Sequence, residues 1–186
     1  MTIGFAMCGS FCTFAEVFPV MEELAACHEV IPIFSFASGS TDSRFGHAAD
    51  FLRQAETICG TAPIRTIAEA EPIGPKKLLD VLVIAPCTGN TLAKLAHSIA
   101  DTPVTMAAKS HLRNGRPVLV AVSTNDALAG AAENIGKLLA RKHYFFVPFG
   151  QDNADAKPTS MVADFKKIPP ALDAALEGRQ IQPILL

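Results

Sequence analysis

Apolar runs rich in Val, Ile and Phe alternate along this chain with longer stretches of helical period, and each run ends in a loop of small residues or proline. A strand that returns parallel to its predecessor needs a crossover, usually a helix, so this alternation commits the chain to an α/β fold on a parallel sheet. The strand candidates are Ile3 to Met7, Val30 to Phe36, Leu79 to Ala85, Val118 to Val122 and Tyr144 to Val147. Ile64 to Ile67 reads as a short extra edge strand. Pro32 has no amide hydrogen to give to a ladder and reads as a bulge or an edge position.

The intervening helices are legible from their apolar stripes. Phe14, Val17, Met21 and Leu24 follow the 3.6 period, as do Ala48, Phe51, Leu52, Ala55, Ile58 and Cys59, with Gly60 as a C-terminal stop. Leu92, Leu95, Ala96 and Ile99 make a third stripe; Leu128, Ala132, Ile135 and Leu139 make a fourth. Thr13 and Glu16 have capping-box spacing, and Pro19 should bend the helix they open. From 150 to 160 the chain is polar and reads as a loop, leading to a last helix broken at Pro169-Pro170. The apolar tail from Ile181 to Leu186 is expected to dock on a neighbour.

At 186 residues, 49% of them hydrophobic, the chain is sized for one domain with a buried core. Sixteen basic against eighteen acidic side chains, with no basic run longer than two, exclude the footprint of a nucleic-acid or anionic-membrane binder. No apolar stretch approaches the roughly 20 residues of a bilayer span, and no basic region precedes the first apolar residues, so a cytoplasmic protein is expected. The five cysteines are odd in number and form no C-x-x-C pair, which argues for buried thiols rather than disulfides or zinc. His28, His97, His111 and His143 share no metal-ligand spacing, so no metal is expected.

Ligands of open parallel sheets bind outside the carboxyl ends of the strands. The loops there are Cys8 to Thr13, Ser35 to Thr41, Pro86 to Thr91 and Ser123 to Asp126, and all four offer hydroxyls, amides or glycines suited to a phosphate or polyol. Singly, each is equally a set of helix caps and turns. Neither G-x-G-x-x-G nor G-x-x-x-x-G-K-[ST] is present, which excludes a dinucleotide fingerprint and a nucleoside-triphosphate loop. One phosphate on an extended polar tail, as in FMN, suits the pattern.

Pro86-Cys87-Thr88-Gly89-Asn90-Thr91 resembles the Pro-Ala-Ser-Ala-Asn-Thr signature of the flavoprotein family that contains the homo-oligomeric flavin-dependent cysteine decarboxylases. Gly9-Ser10 is similar to that family's first flavin-phosphate loop, and Ser35 to its Ser or Thr after the second strand. Thr41 to Gly46, Ala70 to Lys76, Ile84 to Leu95, Met106 to Lys109, Ser123 to Leu128, Pro148 to Asp152 and Gln182 to Leu185 narrow the resemblance to the B-subunit branch of the dipicolinate synthases. The resemblance implies a three-layer Rossmann-like or flavodoxin-like domain over 1–186, with a C-terminal helical segment and tail over 151–186. It also implies FMN on Gly9, Ser10, Phe11, Ser35, Pro86, Cys87, Thr88, Asn90, Thr91 and Met106.

Further implications are a role in oxidising a dihydrodipicolinate-type intermediate in sporulation, a partnership with the A subunit of dipicolinate synthase, and a homo-oligomer, trimeric or a multiple of it. A small dicarboxylate substrate needs cationic anchors, and Arg44, Lys109 and Lys157 stand in the unusual loops. Arg44 serves equally well for the flavin phosphate or as a surface charge, and Lys157 to Ser160 reads as a lid or a plain loop. The decarboxylases' catalytic His is not transferred to His47, which follows Arg-Phe-Gly and reads as a surface or capping residue. Met106-Ala107-Ala108-Lys109 replaces their Pro-x-Met-Asn-x-x-Met-Trp motif, and no catalytic base stands out. A decarboxylase-like lyase and a noncatalytic cofactor-holding or scaffolding protein remain as alternatives.

Overall fold

The computed structural model describes residues 1–186. Strands β1 (Thr2–Met7), β2 (Glu29–Phe34), β3 (Val81–Cys87), β4 (Val118–Thr124) and β5 (Tyr144–Phe146) form a parallel sheet in the order β2-β1-β3-β4-β5. Two short antiparallel strands, β6 (Phe149–Gln151) and β7 (Met161–Ala163), extend it where β7 pairs with the last residues of β4. The helices are α1 (Phe14–Ala25), α2 (Phe36–Ser40), α3 (Ala48–Cys59), α4 (Ile67–Ala70), α5 (Gly89–Ala96), α6 (Pro103–Leu112), α7 (Ala132–Leu139) and α8 (Ile168–Leu176). Every residue of β3 is buried, as expected of a central strand covered on both faces. Phe14 meets Phe51 edge-on at 4.8 Å between ring centroids, which seats α1 on α3. The result is the parallel-sheet α/β fold read from the alternation, in the three-layer form that the resemblance implies. No helix is long and apolar enough to cross a membrane.

Several boundaries differ from the sequence reading, each for a local reason. β2 stops at Phe34 because the Ser35 hydroxyl accepts a 3.1 Å bond from the Ser38 amide and caps α2. The expected strand at 64–67 is a single bridge from Ile33 to Ile64, after which a Thr66/Glu69 capping box opens α4. Pro32 sits on the edge strand, in unbroken register with β1. The capping box at Thr13 and Glu16 is absent: Thr13 already has turn geometry and donates its hydroxyl to the Ser10 carbonyl, so winding begins at Phe11. α1 then runs uninterrupted past Pro19. α6, which shows no clean stripe in sequence, is buried through its small residues Ala107, Ala108 and Ser110.

The fourth stripe is rotated. Ala131, Ile135 and Leu138 turn inward, whereas Leu128, Ala132 and Leu139 are exposed; Ile99 lies beyond the end of α5 and is exposed too. Pro169-Pro170 occupies the first turn of α8, where missing amide hydrogens cost nothing, and starts the helix instead of breaking it. The span from 150 to 160 is bracketed by β6 and β7, so most of it is a hairpin connection. The tail docks on its own chain: Phe149 donates to the Ile184 carbonyl and the Leu186 amide to the Phe149 carbonyl, while the Leu185 and Leu186 residues stay 60% exposed.

His111 is fully buried on α6, with Nε2 at 3.0 Å from the Pro117 carbonyl and Nδ1 without a partner. Burial pushes its pKa down to about 4 from 6.5. Between these values the unfolded chain binds more protons, so the stability conferred by the neutral ring is complete above pH 6.5 and is lost as pH falls toward 4. Denaturant titrations should show a loss of about 3 kcal/mol across that window, and His111→Gln should remove most of this pH dependence.

Candidate functional site

Connections leave β1 toward β2 on one side and β3 toward β4 on the other, so strand order reverses between β1 and β3. Loops diverging from adjacent strands leave a crevice at the carboxyl edge. A cleft of about 740 Å³ lies there. Gly9, Ser10, Phe11 and Cys12 form its wall after β1, Thr88, Gly89 and Asn90 its wall after β3, and Ser123 to Asp126 its wall after β4. Asp152, Lys157, Ser160 and Val162 close it from the β6–β7 side, and Phe45 stands at its mouth.

Hydroxyl contacts hold these walls in register. Ser10 Oγ and Ser123 Oγ are 2.8 Å apart, tying the first loop to the end of β4. Thr88 caps α5 by accepting from the Thr91 amide, and the Thr91 hydroxyl donates to Cys8 Sγ at 3.3 Å. A Cβ on Gly89 would lie 2.7 Å from Asp126 Oδ1 and 2.9 Å from Thr124 Oγ1, so only glycine lets α5 start this close to the β4 loop. The Thr124 hydroxyl donates to Asp126 Oδ1, which leaves the second carboxylate oxygen of Asp126 uncommitted.

Of the residues singled out in the sequence, Gly9, Ser10, Phe11, Thr88, Asn90 and Lys157 converge on this cleft. Cys87, Pro86 and Thr91 are buried behind its surface; the Cys8 amide donates to the Pro86 carbonyl, and burial holds the Cys87 thiol well above its usual range. Cys8 shifts the other way, chiefly through its contact with Cys87. Ser35 lines a separate hollow with Arg65 and Glu69, at the start of the short helix whose Ala37 lies close to Gly9. Met106 is half-buried on α6 and does not reach the cleft. Lys109 lines a separate cavity and does not reach this cleft. Arg44 is exposed, its guanidinium 4.9 Å above the Phe45 ring.

His47 is exposed at the start of α3; its Nδ1 contacts Asp42 at 3.1 Å, which raises the imidazole pKa, while the cap bond is Asp42 Oδ1 accepting from the Ala48 amide. No three His, Cys, Asp or Glu side chains gather where they could hold a metal. Sequence reasoning missed Asp126 and Asp152 as individual lining residues. Asp126 stood within a selected loop, but Asp152 reaches the cleft only through the β6–β7 hairpin.

The charge of the cleft is unusual for a site expected to take anions. Asp126 and Asp152 face a single cation, Lys157, whose Nζ is 3.1 Å from Asp152 Oδ2. The Ser160 hydroxyl first, and Lys157 second, hold the Asp152 carboxyl below its usual range against the opposing effect of burial. A bound phosphate must therefore be met by hydroxyls and backbone amides.

This architecture, a five-stranded parallel sheet with its polar cleft at the order reversal, is that of a flavin-binding class, and the chain belongs to the family described as Flavoprotein, whose model matches residues 1–167. The chain is 47% identical over 185 residues to the B subunit of dipicolinate synthase of Bacillus subtilis (strain 168), covering 99% of this chain and 92% of that one. Its structure is similar to the crystal structure of the dipicolinate synthase B subunit from Bacillus halodurans C, with a TM-score of 0.91, 44% identity and coverage of 100% and 95%. The fold is shared with the FMN-dependent cysteine decarboxylase SpaF at a TM-score of 0.70, 24% identity and 95% coverage of each chain.

Asp152→Asn should free Lys157 and loosen the connection from 152 to 160. Hydrogen exchange is expected to speed up there while the Ser10 and Thr88 loops stay protected. In the unmodified chain the ion pair is lost as pH falls through the lowered Asp152 pKa, so the same region should open only in acid.

Proposed function

We propose that this protein binds FMN in the carboxyl-edge cleft and serves as the flavoprotein component of a dipicolinate synthase. There it takes part, with the companion A subunit, in oxidising a dihydrodipicolinate-type intermediate to pyridine-2,6-dicarboxylate. The observation that carries this reading is the cleft itself, which sets hydroxyls and glycine backbone at the strand-order reversal of a chain 47% identical to a B subunit of that enzyme. The residues fit the cofactor. Ser10 and Thr88 offer hydroxyls, Gly9 and Gly89 give close backbone access, and Asn90 stands one residue into α5. Bound there, the flavin supplies a two-electron acceptor for a dihydro ring.

The chain's own contribution is placement and proton handling. Asp126 is held through one oxygen by Thr124, and its other oxygen is the group in the cleft suited to take a ring proton. Lys157 is neutralised by Asp152, so it orients but does not by itself balance a dicarboxylate. Arg44, next to Phe45 on the same loop and in none of the chain's ion pairs, carries an unpaired guanidinium beside the cleft mouth. Two carboxylates stripped of water need more positive charge than this cleft holds. A second copy closing the open side meets that requirement, and we infer a homo-oligomer, trimeric or a multiple of it, acting in the cytoplasm.

Titration should give tight FMN binding, weaker riboflavin binding, and little binding of FAD or NAD; indifference to the phosphate would overturn the assignment. Ser10→Ala should weaken FMN by about 1.5–3 kcal/mol, a factor of roughly 10 to 150. With FMN and the A subunit present, Asp126→Asn should lower kcat for dipicolinate formation by at least tenfold while FMN affinity stays within a factor of two. Release of carbon dioxide from a cysteine-type substrate in place of ring oxidation would favour the lyase reading.

A further inference from the structure

A second cavity, of about 360 Å³, opens at the opposite edge of the sheet, where α5 ends, α6 passes and β5 begins. Its floor is apolar, made by Leu95, Ile99 and Leu112. Lys109, Arg113 and Arg141 line it as well, and no acidic side chain does. The one carboxylate close by in sequence, Asp101, is taken up by Lys94 at 2.7 Å.

These cations are not equivalent. Arg141 is committed to the C-terminus of α5, donating to the Leu95 carbonyl at 3.0 Å and the Ala96 carbonyl at 2.6 Å. Lys109 on α6 and Arg113, the residue that caps its C-terminus, stand four residues apart and enter none of the chain's ion pairs. Like charges one helical turn apart repel, so an anion between them relieves a cost the free protein carries. Tyr144 adds a hydroxyl; the residue is 8% exposed, and burial raises its pKa to about 12, so it remains a donor.

We propose that this cavity is a second ligand site, separate from the flavin cleft, for a small carboxylate with an apolar single-ring body. The ring occupies the Leu95–Ile99–Leu112 floor, and the carboxylate is met by Lys109, Arg113 and the Tyr144 hydroxyl. The volume lies at the lower end of the roughly 300–1,000 Å³ usual for ligand pockets, which suits one ring and is too small for a helix or strand of a partner. An inorganic anion would leave the apolar floor unused.

The test is calorimetric titration of the full chain, saturated with FMN, using benzoate as the probe and benzyl alcohol and inorganic phosphate as comparators. Saturable benzoate binding at one site per chain is expected, with both comparators at least tenfold weaker. Lys109→Gln, Arg113→Gln and Tyr144→Phe should each weaken benzoate at least fivefold and leave FMN affinity unchanged. Both cations lie outside the buried core, so folding is not at risk in the first two variants. The proposal is overturned if benzoate does not saturate, or if phosphate binds equally well, which marks a surface charge cluster. It is overturned equally if excess FMN competes with benzoate, or if the variants change the oligomeric state without changing benzoate affinity, which marks the cavity as a contact between copies of the chain.

Discussion

The carboxyl-edge cleft depends on β1 and β3 lying side by side while their connections leave in opposite directions. A parallel sheet forces each connection to climb back over a face of the sheet, and only at the order reversal do two loops part and leave room between them. Gly9-Ser10 and Thr88-Gly89 are the residues that stand at that parting. The β4 loop completes the cleft because Ser123 reaches Ser10 at 2.8 Å and because Gly89 has no side chain to hold Asp126 away.

From that geometry follows an electrostatic constraint. A cleft holding two carboxylates and one already paired ammonium does not attract an anion through net charge. On the proposed reading, the phosphate of FMN is satisfied by fixed hydroxyls and amides, at short range and with correct orientation. The same reading requires that cations for the proposed dicarboxylate come from the rim or from another chain. The exposed Arg44 and the open side of the cleft belong to the same explanation.

Residues whose roles are local were legible in the sequence. The strand runs, the α3 stop at Gly60 with its left-handed φ of 67°, and the four polar loops all follow from period and turn chemistry. What escaped depends on contacts between distant segments. The β6–β7 pair consists of three-residue strands that exist because β4 offers a partner, and they bring Asp152 and Lys157 to the cleft. α6 has a burial face made of alanine and serine, which no hydrophobic period reveals, so the placement of Met106 and Lys109 away from the carboxyl-edge cleft was not visible. Pro169-Pro170 looked like a break because a proline pair has the same local meaning at a helix start and in its interior until the preceding strand end is fixed.

Central to this account is that the Gly9–Cys12 and Thr88–Asn90 loops hold FMN. Two exposed thiols allow a direct comparison: Cys12 lines the cleft, and Cys27 follows α1 at the other edge of the sheet. Alkylation rates of both should be measured by mass spectrometry on the same assembly with and without saturating FMN. The expected result is that FMN slows modification of Cys12 at least tenfold and leaves Cys27 unchanged. Equal reactivity of Cys12 in the FMN-saturated and FMN-free protein would contradict it.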